Sequence, residues 1–133
     1  MIVLDASAVV ELVLATSAGR TVAMRISNPA LSLHAPHLLD VEVAQALRRC
    51  AASRLIDEGV AAHALAALHD LDLERHPHDA LLERVWALRC NLTAYDAVYV
   101  ALAEALGAVL LTCDARLARA PGLGANVELV THP

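Results

Sequence analysis

Residues 93–114 read TAYDAVYVALAEALGAVLLTCD, and this stretch decides the fold. Thr93 is placed to cap a helix, with Asp96 three residues on at the capping-box position. Apolar residues recur at Val100, Leu102, Ala103 and Leu106, a face wide enough to pack on a sheet. Gly107 then ends the helix as a C′ glycine. The AVLLT run that follows is short and unbroken, as expected of a strand covered on both faces. It closes at Thr112, and Asp114 stands just beyond, where the strand's carboxyl end opens to solvent. Ligands of open parallel sheets bind along that edge. An acid just inside a helix and another just past a strand are thus able to meet in one cleft.

The same unit of strand and carboxylate opens the chain. MIVLD is a β-branched run ending in an acid, and ASAVVELVL reads as a helix with Glu11 the only charge in its middle. Either Asp5 or Ser7 could cap that helix. Gly19 breaks the pattern, RTVAMRIS forms a second helix closed by Asn28-Pro29, and LSLHAP is a short strand stopped by Pro36. From His37 to about Arg54 the chain lacks Gly and Pro, and its arginines suit a helix C-terminus. IDEGVAAHALAALHDL continues as helix and LDLERH as strand. HDALLERVWALRCN is amphipathic, with Leu81, Leu82, Val85, Trp86 and Leu88 inward and Glu83 and Arg84 outward. After Asp114 come a short helix in ARLARA, a PGLG turn and a closing strand in VELVT. Alternating strands and helices predict an α/β fold, with a mostly parallel sheet of about five strands and helices on both faces. No linker or repeat divides residues 1–133, so a single domain is expected.

Composition removes several functions. Hydrophobic residues make up 58% of the 133, enough for a sizeable core, but Phe is absent and the core must be Ala, Leu and Val. All 10 basic residues are arginine. Without lysine there is no P-loop and no Schiff-base chemistry, and phosphotransfer domains that pair an acid cluster with lysine are disfavoured. A net charge of −5 argues against nucleic-acid binding through diffuse positive charge, though not against a nucleic-acid substrate whose phosphates meet metal ions and local arginines. Cys50, Cys90 and Cys113 are odd in number and scattered, which points to buried thiols in a reducing compartment. Glu104 interrupts the longest apolar run and the chain starts directly into a strand, so a cytoplasmic domain with no membrane segment or leader is expected.

Four acids fall where the pattern makes them informative: Asp5 after the first strand, Glu42 in the long third helix, Asp96 and Asp114. Parallel strands with right-handed crossovers put their carboxyl ends on one edge, so Asp5 and Asp114 emerge side by side if their strands are neighbours. Asp5, Asp96 and Asp114 each have an ordinary explanation as a helix-capping residue when taken alone. Four together stay ionised only beside a cation, and oxygen donors without thiols select Mg²⁺ or Mn²⁺ over Zn²⁺. Such a site supports phosphodiester hydrolysis by metal-activated water.

MIVLDASAVVELVL, PHLLDVEVAQALRR and LTAYDAVYVALAEALGAVLLTCDARLARA together resemble PIN-domain ribonucleases of the VapC toxin type. The resemblance spans nearly the whole chain. It rests on Asp5 with Ser7, on Glu42 within P-x-L-x-x-x-E-V, on T-x-x-D-A-x-Y around Asp96, and on T-x-D at Asp114. It implies that Asp5, Glu42, Asp96 and Asp114 bind Mg²⁺, with Mn²⁺ able to substitute, and cleave RNA. Ser7 and Thr112 give polar support. It further implies a homodimer inhibited by a small antitoxin protein. Rival expectations are an RNA-processing PIN nuclease outside a toxin–antitoxin pair and an inactive PIN-like binding module. Residues 55 to 90 match only in helix pattern, so any substrate preference there is unreadable.

Other residues carry ordinary expectations. The seven histidines show no metal-like pairing beyond His34/His37 and His76/His78, and no zinc site is expected from them. Trp86 is expected in the core or at a dimer surface, and Cys113 in strand-end packing. Arg48, Arg49, Arg116 and Arg119 are placed to hold phosphates, although solvated helix faces explain most of them. Asp40 and Glu42 lie two apart on a helix and so point to different sides. Asp40, in the first turn, is explained by the helix dipole.

Overall fold

The computed structural model describes residues 1–132. Among them are five strands: β1 (Ile2–Leu4), β2 (Leu33–Pro36), β3 (Glu74–His76), β4 (Val109–Thr112) and β5 (Val127–Leu129). Every pairing is parallel, in the order β3-β2-β1-β4-β5. Helices α1 (Ala6–Val13) and α2 (Ser17–Arg25) connect β1 to β2, and α3 (Leu38–Ala52) and α4 (Glu58–Asp70) connect β2 to β3. A 3₁₀ turn (Asp79–Leu81), α5 (Leu82–Ala87) and α6 (Ala94–Leu106) lead to β4, and α7 (Ala115–Arg119) leads to β5. The chain steps outward from β1 on one side, then returns to β4 and steps outward on the other. Right-handed crossovers in opposite directions send helices to opposite faces. Accordingly α1, α3 and α4 pack together, while α5 and α6 form a separate group.

Strand order reverses between β1 and β4, which makes their shared edge the place where a crevice opens. Pairing of Leu4 with Leu111 brings the two carboxyl ends level, and the backbone N–H of Asp5 donates to Leu111 at 3.3 Å. Both strands are sealed: Ile2, Val3, Leu4, Leu110 and Leu111 are at most 1% exposed. Short apolar runs suffice here because helices cover both faces.

Helix α6 begins at Thr93, whose hydroxyl accepts from the N–H of Asp96, and ends at Gly107 in the left-handed conformation (φ 62°). Its burial differs from the one-sided face expected. Ala97 through Ala103 are all buried, because the helix packs against β1, β2, β4 and α5 together. Charged residues are confined to its end turns, and Tyr99 is the one polar side chain in its middle. The segment after β3 also departs from expectation. A 3₁₀ turn precedes α5 and changes the helical phase, so Val85 and Leu88 turn inward while Leu82 (56%) and Trp86 (69%) are exposed. Arg84, expected to face solvent, forms a bidentate pair with Glu104 of α6 at 2.6 and 3.0 Å. Nor are the cysteines buried: Cys90 is exposed, and Cys50 and Cys113 are partly covered. Among the described residues no single helix is long and apolar enough to cross a membrane.

Gly19 does not break a helix. It lies in the first turn of α2, capped by Thr16, where α2 crosses α1 so closely that a Cβ would stand 1.9 Å from the Glu11 carbonyl oxygen. Backbone approach, not turn geometry, demands glycine there. Propensity alone makes Gly19→Ala stabilising by up to about 1 kcal/mol. The contact reverses that sign, and Gly19→Ala is expected to destabilise by roughly 1–3 kcal/mol in urea unfolding.

Candidate active site

At the reversal of strand order lies an open cavity of about 550 Å³, lined by Asp5, Ser7, Glu11, Glu42, Arg49, Asp96, Tyr99, Asp114 and Arg116 among others. Each side chain arrives from the end of an element. Asp5 follows β1 and caps α1, Glu42 projects from α3, Asp96 sits in the first turn of α6, and Asp114 follows β4 and caps α7. All four acids singled out in the sequence therefore face one cavity. Capping and lining are compatible, since the cap uses one carboxylate oxygen of Asp5 or Asp114 and leaves the other free of that duty.

Asp5 is the most enclosed of the four, at 5% exposure. One oxygen accepts from Ser7 Oγ at 2.7 Å and from the Ala8 N–H at 2.9 Å. The other accepts from Thr112 Oγ1 at 2.6 Å. Ser7 in turn accepts from the Cys113 N–H at 2.9 Å, and Thr112 accepts from the Asp114 N–H at 3.0 Å. Ser7 and Thr112 thus tie the two strand ends together through the acid, with their hydroxyls 3.2 Å apart. On the far wall the buried phenol of Tyr99 donates to Glu42 at 2.5 Å.

The electrostatics are unfavourable to an empty cluster. Burial raises the pKa of Asp5, opposed by its hydrogen bonds from Thr112, Ala8 and Ser7 and reinforced by the charge of Asp114. Burial likewise raises Glu42, opposed by the Tyr99 hydrogen bond, while Asp96 and Asp5 push it further up. Asp96 is raised by burial and then by Asp114, against the pull of Arg116. Oxygen donors that repel one another and are crowded around an open space fit a hard divalent cation. Among the described residues, Arg49 and Arg116 are the cavity's only cationic lining residues, and Arg48 and Arg119 do not line it.

Asp40 and Glu42 diverge as helical geometry requires. Asp40 is not left to the helix dipole alone: Arg75 clamps it through two bonds of 2.7 and 2.9 Å, well away from the cavity. Two lining residues escaped the sequence argument. Tyr99 stands three positions after Asp96, on the same side of α6, and its place in T-x-x-D-A-x-Y was the available signal. Glu11 was visible as a lone charge in an apolar helix, four residues after Ser7. The imidazoles meet differently from their sequence pairs, since His34 contacts His76 across two strands.

A parallel sheet with acids at its reversal point defines an α/β domain whose site lies at the strands' carboxyl edge, and the PIN domain family model matches residues 2–123. Two relatives from Mycobacterium tuberculosis align over nearly the full length of both chains. Ribonuclease VapC1 is 49% identical over 129 residues, 96% of each chain. Ribonuclease VapC12 is 44% identical over 130 residues, 98% of this chain and 99% of its own. Among solved structures, VapBC2 from Rickettsia felis bound to a promoter DNA fragment shares the fold at a TM-score of 0.70, with 15% identity over 97% of this chain and 98% of that one. The chain belongs to the PIN-domain family, in its VapC branch.

The sign of the Glu42 shift makes a prediction. Its folded pKa lies above the unfolded value, so the native state holds more protons there and loses that stability as pH rises through the folded pKa. Glutamine keeps the acceptor for Tyr99 and removes the charge. Without metal, Glu42→Gln is expected to melt above the wild type at about pH 7.5, with the difference shrinking as pH falls through the folded pKa and vanishing only below the ordinary glutamate value, where Glu42 is neutral in both states. A thermal-melt series across that range reads it directly.

Proposed function

We propose that this protein is a Mg²⁺-dependent endoribonuclease, with Mn²⁺ able to substitute, and the toxin component of a toxin–antitoxin pair. The observation that carries this is the convergence of Asp5, Glu42, Asp96 and Asp114 on one open cavity beside two arginines. Its two relatives named as VapC ribonucleases supply the reaction class. A bound divalent cation would supply charge neutralisation for the scissile phosphate and a water acidic enough to attack it. The chain's own residues hold the donors in place. Ser7, Thr112 and the Ala8 N–H orient Asp5; Tyr99 orients Glu42; the N–H of Arg116 holds Asp114 at 2.8 Å.

Arg49 and Arg116 lie at the cavity mouth with exposed side chains, suited to phosphates flanking the cleaved bond rather than to base edges. The acid-lined cavity repels a polyanion, and the arginines offset that repulsion where the substrate enters. We assign the substrate class to RNA on the strength of the relatives. The inhibitor is expected to be a small antitoxin protein, as the paired name of VapBC2 indicates for that complex.

Cleavage of RNA is expected to vanish in EDTA and return with Mn²⁺. Glu42→Gln and Asp96→Asn should each lower the rate by at least about a hundredfold. Asp40→Asn should leave the rate within about twofold and cost roughly 0.5–1 kcal/mol of stability, for its half-exposed pair with Arg75. Turnover surviving in chelator would overturn the reading, as would a dead Asp40→Asn beside an active Glu42→Gln. The protein is also expected to form a homodimer through apolar surface around the exposed Leu82, Trp86 and Tyr95. Light scattering at about tens of micromolar should report twice the chain mass, and a monomer mass there rejects the pairing.

A further inference from the structure

The sheet carries a second cluster of ligating groups, away from the acid cavity. Strands β2 and β3 pair with His34 opposite Glu74 and Pro36 opposite His76. In a pleated sheet this register puts His34, Glu74 and His76 on one face. His34 Nδ1 lies 2.9 Å from His76 Nε2. Glu74 approaches His34 Nδ1 with one carboxylate oxygen, Oε2, at 3.6 Å and His76 Nε2 with the other, Oε1, at 3.9 Å. Among the described residues this is the only group of three such side chains whose ligand atoms all fall within 4.8 Å of one another.

We propose that His34, Glu74 and His76 form a second metal site, distinct from the acid cavity, which takes a borderline transition ion such as Zn²⁺. Bonds of about 2.0–2.2 Å in tetrahedral geometry place donor atoms roughly 3.3–3.6 Å apart. The imidazole nitrogens stand closer than that range and the Glu74 oxygens at or beyond it, so closing the site requires the rings to part by a few tenths of an ångström and one Glu74 oxygen to swing in. The supporting geometry is in place. His34 is 5% exposed, and its other nitrogen meets Ser32 Oγ at 2.8 Å. An outer hydrogen bond of that kind fixes ring orientation and leaves Nδ1 free to ligate. Glu74 is exposed, leaving the fourth position open to water. Two imidazoles and one carboxylate favour Zn²⁺, whereas the all-oxygen cavity favours Mg²⁺ or Mn²⁺.

The consequence is structural. Strand β3 has three residues and lies at the sheet edge. The His76 carbonyl also accepts from the His37 N–H at 2.8 Å, at the head of the helix that carries Glu42. A metal clip here fastens the edge strand to β2 and steadies the start of α3.

The competing state is a bare hydrogen bond between two neutral imidazoles, and titration separates the two. Metal-free protein is titrated with Zn²⁺ by calorimetry in millimolar Mg²⁺, and with Co²⁺ by visible absorption, which reports nitrogen ligation. The expected result is one equivalent bound, a raised melting temperature, and retention of both signals in Asp96→Asn. His76→Gln and Glu74→Gln, at partly or fully exposed positions, should each weaken Zn²⁺ binding at least about tenfold, and Ser32→Ala by roughly tenfold through His34. No zinc bound under these conditions overturns the site. So does binding unchanged in His76→Gln, or binding lost in Asp96→Asn but kept in His76→Gln, which places the ion in the acid cavity.

Discussion

The carboxylate of Asp5 joins the two halves of the sheet. It is nearly enclosed, and it survives there because Ser7, Ala8 and Thr112 all donate to it. A buried carboxylate without such donors would cost several kcal/mol. With them, the same group caps α1, grips β4 and presents its remaining acceptor capacity to the cavity. Thr112 does matching duty on the other strand, donating to Asp5 and receiving the Asp114 N–H. The pairing of β1 with β4 and the position of two acids are therefore one arrangement.

Around that joint the fold concentrates like charge. Asp5, Glu42 and Asp96 are raised by burial and further by neighbouring acids, whereas Glu104, facing Arg84 and the Gly124 N–H, is lowered. The contrast separates two uses of acids in one small domain. Glu104 and Asp40 are neutralised by arginine and hold elements together. The cavity acids have no bidentate arginine clamp; Asp114 meets only the exposed Arg116, at 3.7 Å, and the mutual repulsion that remains is relieved when a cation arrives. Tyr99 belongs to the same economy, since its buried phenol orients Glu42 without adding positive charge.

A core of small side chains suits this plan. With no Phe, helices approach until backbone meets backbone, as α2 does α1 at Gly19. Close packing leaves α6 buried along its middle, Tyr99 included, while Trp86, Tyr95 and Leu82 stand on the surface. Cys113 sits beside the cavity with its thiol pushed up to about 11, by burial first and by Asp5 and Glu11 after, and so is no nucleophile at neutral pH.

Strand ends, caps, Asp5, Asp96 and Asp114 were legible in the sequence because they depend on short-range rules: alternation of elements, cap residues at fixed spacing, a carboxylate after an apolar run; Glu42, inside a helix, was marked mainly by the P-x-L-x-x-x-E-V resemblance. MIVLD and VLLTCD each announced a strand followed by an acid, and right-handed crossovers then required their carboxyl ends to share an edge. What tertiary structure decided was everything that depends on lateral neighbours. That β1 adjoins β4, that Arg75 claims Asp40, that Tyr99 reaches Glu42 and that His34 meets His76 all join residues at least 35 positions apart. Local periodicity says which side of an element a residue occupies, but not which element will lie against it. The phase change before α5 had the same origin, since a 3₁₀ turn rotates every following side chain while leaving the apolar spacing intact.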